Sequence, residues 1–571
     1  LGYTNDKLTS ISRGSTLQAQ YGYSTASGGV GARLRYAYDA ELHYGIGIDY
    51  AGRRVGAYYE ITSAGNTSRP GAIVEVSQNG EGQTCYHDYG SNRVKYDPNN
   101  NASVNDDILT YYTFDYALRT VNAYTTDSCG KLLGASNAAY SQNDGVSRQN
   151  NRTLRTAGIG ASSFNRLRNG SFEYSDPAWS FTGTGQATSN ILIKEENPRT
   201  GAKALKGWIK PNTNGTVSAY LTSDSISANY TYTLSVYVNT SACTSFLGKG
   251  IYLRVTNLYS GAVATGEPIN YATSTAIDGG WSRISVTFRG AGMTVPAKIE
   301  LINEGVGGAF YADDMQLEYG ESANTQELLR NGDLQHWGDQ WEFYGQGGAF
   351  VNNEGVYTLP VGGEPHSLRI VGDPYGVNGA YQTVTVNLPG SQTYVLSGWA
   401  KTNSVPTQGS STRTFGLRAL LTYSDGTTET HYVPFCSDVV AWQFTSMAIV
   451  PKKALTVSTI RVSCVYEHND NTAWFDDISL TREVAQTMRY DEDGRLISTA
   501  ALGSGERQNT WENGNLTSVV RDGCATLQYT YDSKHNLTQA SNGLVRESYT
   551  VDATGNVTAS ALTSAGGTGV K

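Results

Sequence analysis

Proline and methionine are scarce, charged side chains make up only 16% of the 571 residues, and cysteine is confined to six scattered positions. Each shortage excludes something. With so little charge and only 14 prolines, the chain is neither a disordered tail nor a Pro-rich spacer. Cys85, Cys129, Cys243, Cys436, Cys464 and Cys524 form no Cys-x-x-Cys pair, so neither a zinc knuckle nor a redox motif is expected. Cys436 and Cys464 share one module and can pair, but buried free thiols are the expectation. No run reaches the roughly 20 apolar residues of a membrane span, and no signal peptide is legible. A net charge of -9 provides no basic stripe for DNA or RNA, so no nucleic-acid partner and no membrane insertion are expected. His-Glu-x-x-His, Gly-x-Ser-x-Gly, the phosphate loop and the dinucleotide fingerprint are all missing, and the seven histidines are dispersed. The first residue is not Met and the start reads as mid-repeat, so a piece of a longer chain is expected.

What is abundant is glycine, 64 residues, and tyrosine, 39, a mixture that favours strands and turns over helices. A whole-domain duplication stands out. Leu167-Arg168-Asn169-Gly170 returns as Leu329-Arg330-Asn331-Gly332, and a tryptophan follows each, Trp179 and Trp341. Tyr232-Thr233-Leu234-Ser235 is answered by Tyr394-Val395-Leu396-Ser397, and Trp281 by Trp442. Each copy closes on an aromatic and two aspartates, Phe310-Tyr311-Ala312-Asp313-Asp314 and Trp474-Phe475-Asp476-Asp477. The near-constant spacing marks duplicated domains rather than a short solenoid unit.

A shorter repeat occupies the C-terminal stretch. Tyr490-Asp491, Trp511-Glu512, Tyr531-Asp532 and Val551-Asp552 recur at about 20-residue intervals, each followed by a Gly/Asn turn. Each unit reads as a hairpin that must stack on its neighbours, with the acidic residue bonding turn amides. The pattern resembles the YD repeats of bacterial Rhs-type proteins, which implies part of a large β-shell. The N-terminal segment carries degenerate versions, Tyr36-Ala37-Tyr38-Asp39 and Tyr111 to Arg119. Residues 96–107 read as a loop and 141–166 as a short helix or linker. The predicted organisation is repeat material over 1–165, modules at 166–320 and 328–483, and repeats again over 486–571.

Within each module strands alternate. Leu234, Val236 and Val238 point one way, Thr233, Ser235 and Tyr237 the other. About 150 residues of this pattern, broken regularly by turns, predict a two-sheet sandwich. The fold class is therefore all-β: two tandem jelly rolls inserted between YD-repeat hairpin segments. Asp313-Asp314 and Asp476-Asp477, on opposite faces of a strand, are not expected to act as a catalytic carboxylate pair.

The opening Asn-Gly-x-Phe-Glu strand and the closing Phe-x-Asp-Asp strand resemble the galactose-binding-like jelly rolls of carbohydrate-binding modules. That resemblance implies a structural Ca2+ held by Glu173 and Asp314 in the first module. In the second it implies Asp477, with Gln335 standing where Glu173 does. A saccharide needs an apolar platform beside polar groups. Tyr237 and Trp399 hold the same place in the two copies, as do Arg254 and Arg418, and Tyr252 joins the first set. These five are the expected carbohydrate-binding residues, each arginine bonding two hydroxyls or a uronate. The function expected is non-catalytic adhesion of an extracellular or surface-borne bacterial Rhs/YD-repeat protein. Its partners would be glycans, cell-wall polysaccharide and the rest of the same shell. The alternatives are a toxin-delivery shell with the jelly rolls as spacers, and a glycoside hydrolase.

Overall fold

A computed structural model describes residues 1–24, 33–51, 54–64, 73–78, 90–97, 108–114, 120–127, 132–140, 152–159, 164–184, 189–228, 230–274, 280–290, 293–352, 354–355, 366–404, 413–435, 440–482, 486–491, 493–501, 505–521 and 524–564. Every regular element among them is a strand. Twenty strands form one antiparallel meander from Gly2–Thr4 to Val557–Ser564. The chain leaves it after Arg152–Ile159 and re-enters at Gln486–Tyr490, and these two strands pair directly, Leu154 opposite Arg489. Both modules are thus one insertion hung from adjacent strands. Residues 152–159 differ from the expected helix or linker because pairing with a strand over 300 positions away decides their conformation. Of the unit expected at Tyr111–Arg119, residues 115–119 lie outside the described residues; so does the loop expected at 96–107, except for Tyr96 and Asp97, which end the strand Gly90–Asp97.

The repeat works through its acid. Asp552 Oδ1 accepts the amides of Thr554 at 2.9 Å and Asn556 at 3.0 Å, while its own amide donates to the Asn556 carbonyl. Asp532 does the same with Lys534 and Asn536, and Asp491 with Asp493 and Arg495. Asp39 is the N-terminal counterpart, taking the amides of Glu41 and Leu42. The Trp511-Glu512 unit turns instead through Asn513 (φ 50) and Gly514 (φ 82), a two-residue left-handed connection between Glu512 and Asn515.

In the first module, the strands Thr231–Asn257 and Val295–Tyr319 are long enough to run through both layers, so eight strands are linked. The second keeps two separate sheets, of six and five strands. Leu234, Val236, Leu205, Leu301 and Phe310 meet in the first core; Ile370, Leu396, Leu417, Ile460 and Phe475 meet in the second. Each such side chain contributes about 1.5–3 kcal/mol on burial.

The duplicated opening motif has a physical explanation. Asn169 accepts the Tyr174 amide at 3.1 Å and donates to the Tyr174 and Pro177 carbonyls, while the Trp179 indole donates to the Asn169 carbonyl. Asn331 repeats the arrangement with His336, Trp337, Asp339 and Trp341. A Cβ on Gly170 or Gly332 would stand 1.9 Å from the carbonyl oxygen of Met315 or Ile478, so only glycine fits.

The modules are joined by more than sequence. Gln326–Glu327 pairs with Thr472–Arg482 as an added strand of the second module, and Gly201 donates its amide to the Val386 carbonyl. Arg330 lies 4.6 Å over the Tyr174 ring and donates to the Asp176 carbonyl. The second module also docks on the repeat sheet through Tyr124, Ala135, Trp399 and Phe444, with the Ser446 hydroxyl bridging Asn122 and Asn137.

Candidate functional site

Two sets of outward side chains lie on equivalent sheet faces. In the second module the strands Glu342–Tyr344, Gly379–Leu388, Val457–Glu467, Thr414–Tyr423 and Thr428–Pro434 make one sheet. Ala380, Val384, Leu417, Ala419, Ile460 and Val462 enter the core. The opposite parity carries Tyr344, Tyr381, Arg418, Tyr432, Arg461 and Glu467. Glu467 accepts two bonds from Arg418, at 2.9 and 2.6 Å, and the hydroxyls of Thr414 and Tyr344. Burial alone would raise this carboxyl, but Arg418 and Thr414 outweigh it and hold it below the usual carboxylate range. A Cβ on Gly379 would be 2.3 Å from the Tyr344 hydroxyl oxygen, and one on Gly416 2.6 Å from the Tyr432 ring. Both rings therefore lie across the sheet on the space two glycines leave. Arg461 covers Tyr381 at 4.6 Å.

The first module repeats the chemistry with different partners. Arg254 donates to Glu300 at 2.7 Å, Lys298 reaches the same carboxylate at 2.7 Å, and Tyr252 donates to Glu304 at 3.3 Å. Lys298 lies 4.3 Å over Tyr220 and Lys249 4.2 Å over Tyr252. Register explains the change of acid. Arg254 faces Glu300, but Arg418 faces Ser463 and reaches along the sheet to Glu467. Both faces offer aromatic rings beside fixed donors and acceptors, with Arg254, Lys298 and Arg418 each paired to a carboxylate. Such a surface suits a hydroxyl-rich ring.

Of the expected binding residues, Tyr252, Arg254 and Arg418 lie on these faces, but the Tyr252 ring is only 5% exposed beneath Lys249 and offers a saccharide no open platform. Tyr237 and Trp399 do not lie there, which corrects the expectation that they join the arginines. Tyr237 is 2% exposed, in the other layer, sandwiched between Arg199 at 3.4 Å and Arg283 at 5.2 Å. Trp399 is 6% exposed beneath Tyr124 of the repeat sheet, ring centroids 5.8 Å apart. Neither ring has a face open to a saccharide. Tyr220, Tyr344, Tyr381, Tyr432, Glu300, Glu304 and Glu467 were missed in the sequence. A signal existed: Ser218-Ala219-Tyr220 is matched by Gly379-Ala380-Tyr381, tyrosine at the outward position both times.

The paired aspartates also differ from expectation. Asp314 (φ 53) and Asp477 (φ 49) both sit in left-handed bulges where the sheet register shifts, which breaks the strand alternation. In the first module both carboxylates converge on one loop. Asp313 accepts the amides of Arg199 and Thr200, and Asp314 accepts the Arg199 guanidinium at 3.0 Å and the Thr200 hydroxyl. Arg199 also donates to Gln326. Burial, then Asp314 beside it, pushes Asp313 well above the usual range. Glu173 is spent on the Ala202 and Lys203 amides, at 2.8 and 2.7 Å. Glu173 and Asp314 therefore do not fit calcium, since a buried guanidinium already supplies the positive charge. In the second module burial and the neighbouring Asp333 raise Asp477. Among the described residues no cluster of three or more metal-type ligands occurs.

Cys243 and Cys464 are buried free thiols, burial pushing Cys243 up to about 12. Cys436 lies outside the described residues.

No family model matches the chain. Among curated proteins it is similar to the tRNA nuclease WapA of Bacillus subtilis (strain 168), 25% identical over 398 residues. It is also similar to the tRNA3(Ser)-specific nuclease WapA of Bacillus spizizenii, 24% identical over 398 residues. Both matches cover 65% of this chain but only 16% of the relative. Among solved structures it resembles the CBM22-1-CBM22-2 tandem of Paenibacillus barcinonensis Xyn10C, at 15% identity and TM-score 0.23, over 57% of this chain and 99% of that one. A family 16 carbohydrate-binding module matches at 18% identity and TM-score 0.20, over 27% and 99%. Likenesses of that size assign this chain no ligand.

Proposed function

We propose that the two sandwiches bind saccharide chains on their tyrosine-bearing outer faces and that the repeat sheet is their carrier. The observation that carries this reading is the second module's face, where Tyr344 and Tyr432 lie across Gly379 and Gly416 around the Arg418–Glu467 pair. Rings flat on a sheet give the CH-rich side of a pyranose a place to stack, while Arg418 and Glu467 orient its hydroxyls. In the first module Tyr220 takes the ring's role and Arg254 with Glu300 the polar one. The reaction class is none: the face binds. Each single contact is weak, about mM to tens of μM, and the joined pair gains through avidity. The carrier is read as part of a bacterial Rhs/YD-repeat shell presented outside the cell or on its surface, with the rest of the shell as its partner.

Calcium is kept for the second module alone, where Asp333 and Asp477 are both buried and a divalent ion would relieve their mutual repulsion.

Glycan-array binding of the intact chain tests the reading, comparing wild type with Tyr344→Ala, Arg418→Ala and Tyr220→Ala, with and without chelator. Loss in the first two variants with the fold retained supports it; no binding by wild type across a broad panel sinks it. A second reading is favoured by the curated relatives, which are named as tRNA nucleases and are several times longer than this chain. In it the sandwiches are spacers in a longer nuclease-bearing protein, and neither face has a ligand.

A further inference from the structure

The two sandwiches differ most at one end. In the second, the strand Thr414–Tyr423 carries Tyr423 inward; the ring is 1% exposed and its hydroxyl donates to Glu429. Glu429 in turn holds His431 at 2.6 Å and accepts the Lys452 amide at 3.0 Å. Ring, carboxylate and imidazole together fill that end.

In the first module, Tyr259 stands where Tyr423 does, counting from Arg254 and Arg418. Here, however, the chain turns earlier. Asn257 Oδ1 accepts the amides of Tyr259 at 2.9 Å and Ser260 at 2.8 Å, and this Asx turn throws Tyr259 outward, 66% exposed. Register places Ala264 opposite Val255 where His431 faces Ala419, and Ala262 falls at the place of Glu429. All three filling groups are thus replaced by small or outward ones. A cleft of about 230 Å³ opens instead, walled by Ile226, Val255, Ala264, Phe288 and Ala297 with Arg289 at its side. Val263 of the lining is exposed, and the exposed Leu258 and Tyr259 directly follow Asn257, another lining residue, in the chain.

We propose that this cleft binds a small one-ring aromatic molecule with a polar outer substituent, its ring taking the place that the Tyr423 ring fills in the second module. The walls are apolar and Phe288 offers a ring for edge or offset contact, while the cleft is smaller than the common range for drug-sized ligands and so selects a single ring. The hydroxyl or carboxyl would lie at the open end, as the Tyr423 hydroxyl does, beside Arg289 and the rim. On this proposal Tyr259, two residues along from the lining Asn257, folds over the bound ring. The site is separate from the saccharide faces and does not rest on them.

Titration of the intact chain with 4-hydroxyphenylacetate, followed by saturation-transfer NMR and calorimetry, is the test, with cyclohexylacetate as the non-aromatic control. The expected result is saturable binding of the aromatic probe in the mM range or tighter, at least about tenfold weaker for the saturated ring. Ala264→Phe should abolish it by filling the cleft, and Tyr259→Ala, an exposed position, should weaken it about threefold without disturbing the fold. No saturable binding, equal binding of both probes, or binding untouched by both substitutions would overturn the proposal.

Discussion

The first sandwich stacks Arg199 and Arg283 on Tyr237, whereas the second presses Trp399, its equivalent, against Tyr124 of the repeat sheet. The same contrast recurs around it. Asp314 has a guanidinium at 3.0 Å, while Asp477 is crowded by Asp333. At the opening, Asn165 accepts the amides of Leu167 and Leu317 in the first module; in the second, Glu327 does the same for Leu329 and Leu480. The backbone solution is kept in both copies, and the side chains that complete it come from whatever lies next door. In the first copy the groups that cover Tyr237 come from its own loop and strand. The other became the bridge to the carrier.

Removing the guanidinium should break this contrast most severely. Arg199→Ala leaves Asp314 buried without its counter-ion and should cost about 3–5 kcal/mol in the first module alone. Thermal unfolding with chelator arms checks it: the variant should lose the first module's transition, while chelator should lower only the second's. A variant as stable as wild type would show that Arg199 is not the substitute cation.

Trp399→Ala should cost about 3 kcal/mol and loosen the second module from the repeat sheet. Limited proteolysis reads this as faster cutting between the two bodies, an effect that Tyr237→Ala should not have. Equal cutting in both variants would mean the docking is carried elsewhere.

Glu327 sharpens the comparison through pH. Burial outweighs its hydrogen bonds from Ser479, Leu329 and Leu480 and pushes the carboxyl up to about 7. Its folded value lies above its unfolded one, so the folded state holds the extra proton. The stabilisation is full below the ordinary glutamate range and is lost as pH rises through about 7, of order 3 kcal/mol at most. Denaturant titrations at pH 5 and pH 8 should show that slope in wild type, and Glu327→Gln should flatten it. An unchanged slope in the variant would assign the effect to another group.

The smallest effect belongs to the hairpins. Hydrogen bonds from Thr554 and Asn556 lower Asp552 to about 2, so it keeps its charge in mild acid. Asp552→Ala should fray only its own turn, seen as faster amide exchange at Thr554 and Asn556 with the rest of the sheet unchanged.

Much of this was readable without coordinates. The alternation of Leu234, Val236 and Val238 against Thr233, Ser235 and Tyr237 gives the sandwich, because a strand's period of two sorts side chains whatever surrounds it. The duplicated Leu-Arg-Asn-Gly and the recurring Asp before each turn act over a few residues, so their hydrogen bonds are written locally. Arg254 and Arg418 could be paired by counting. Tyr237 could not be placed: alternation says that it points away from the core, not that Arg199 will cover it. Nor does it say that the strand Thr231–Asn257 crosses from one layer to the other before reaching Arg254.

The chain alone thus determined the all-strand class, the twin sandwiches and the hairpin turns, since all three follow from short-range periodicity and turn chemistry. Only the tertiary structure decided which outward faces remain open. That depends on neighbours remote in sequence: Tyr124 arriving over Trp399, the 199–201 loop closing on Asp314, and one hairpin turning early enough to leave Tyr259 outside.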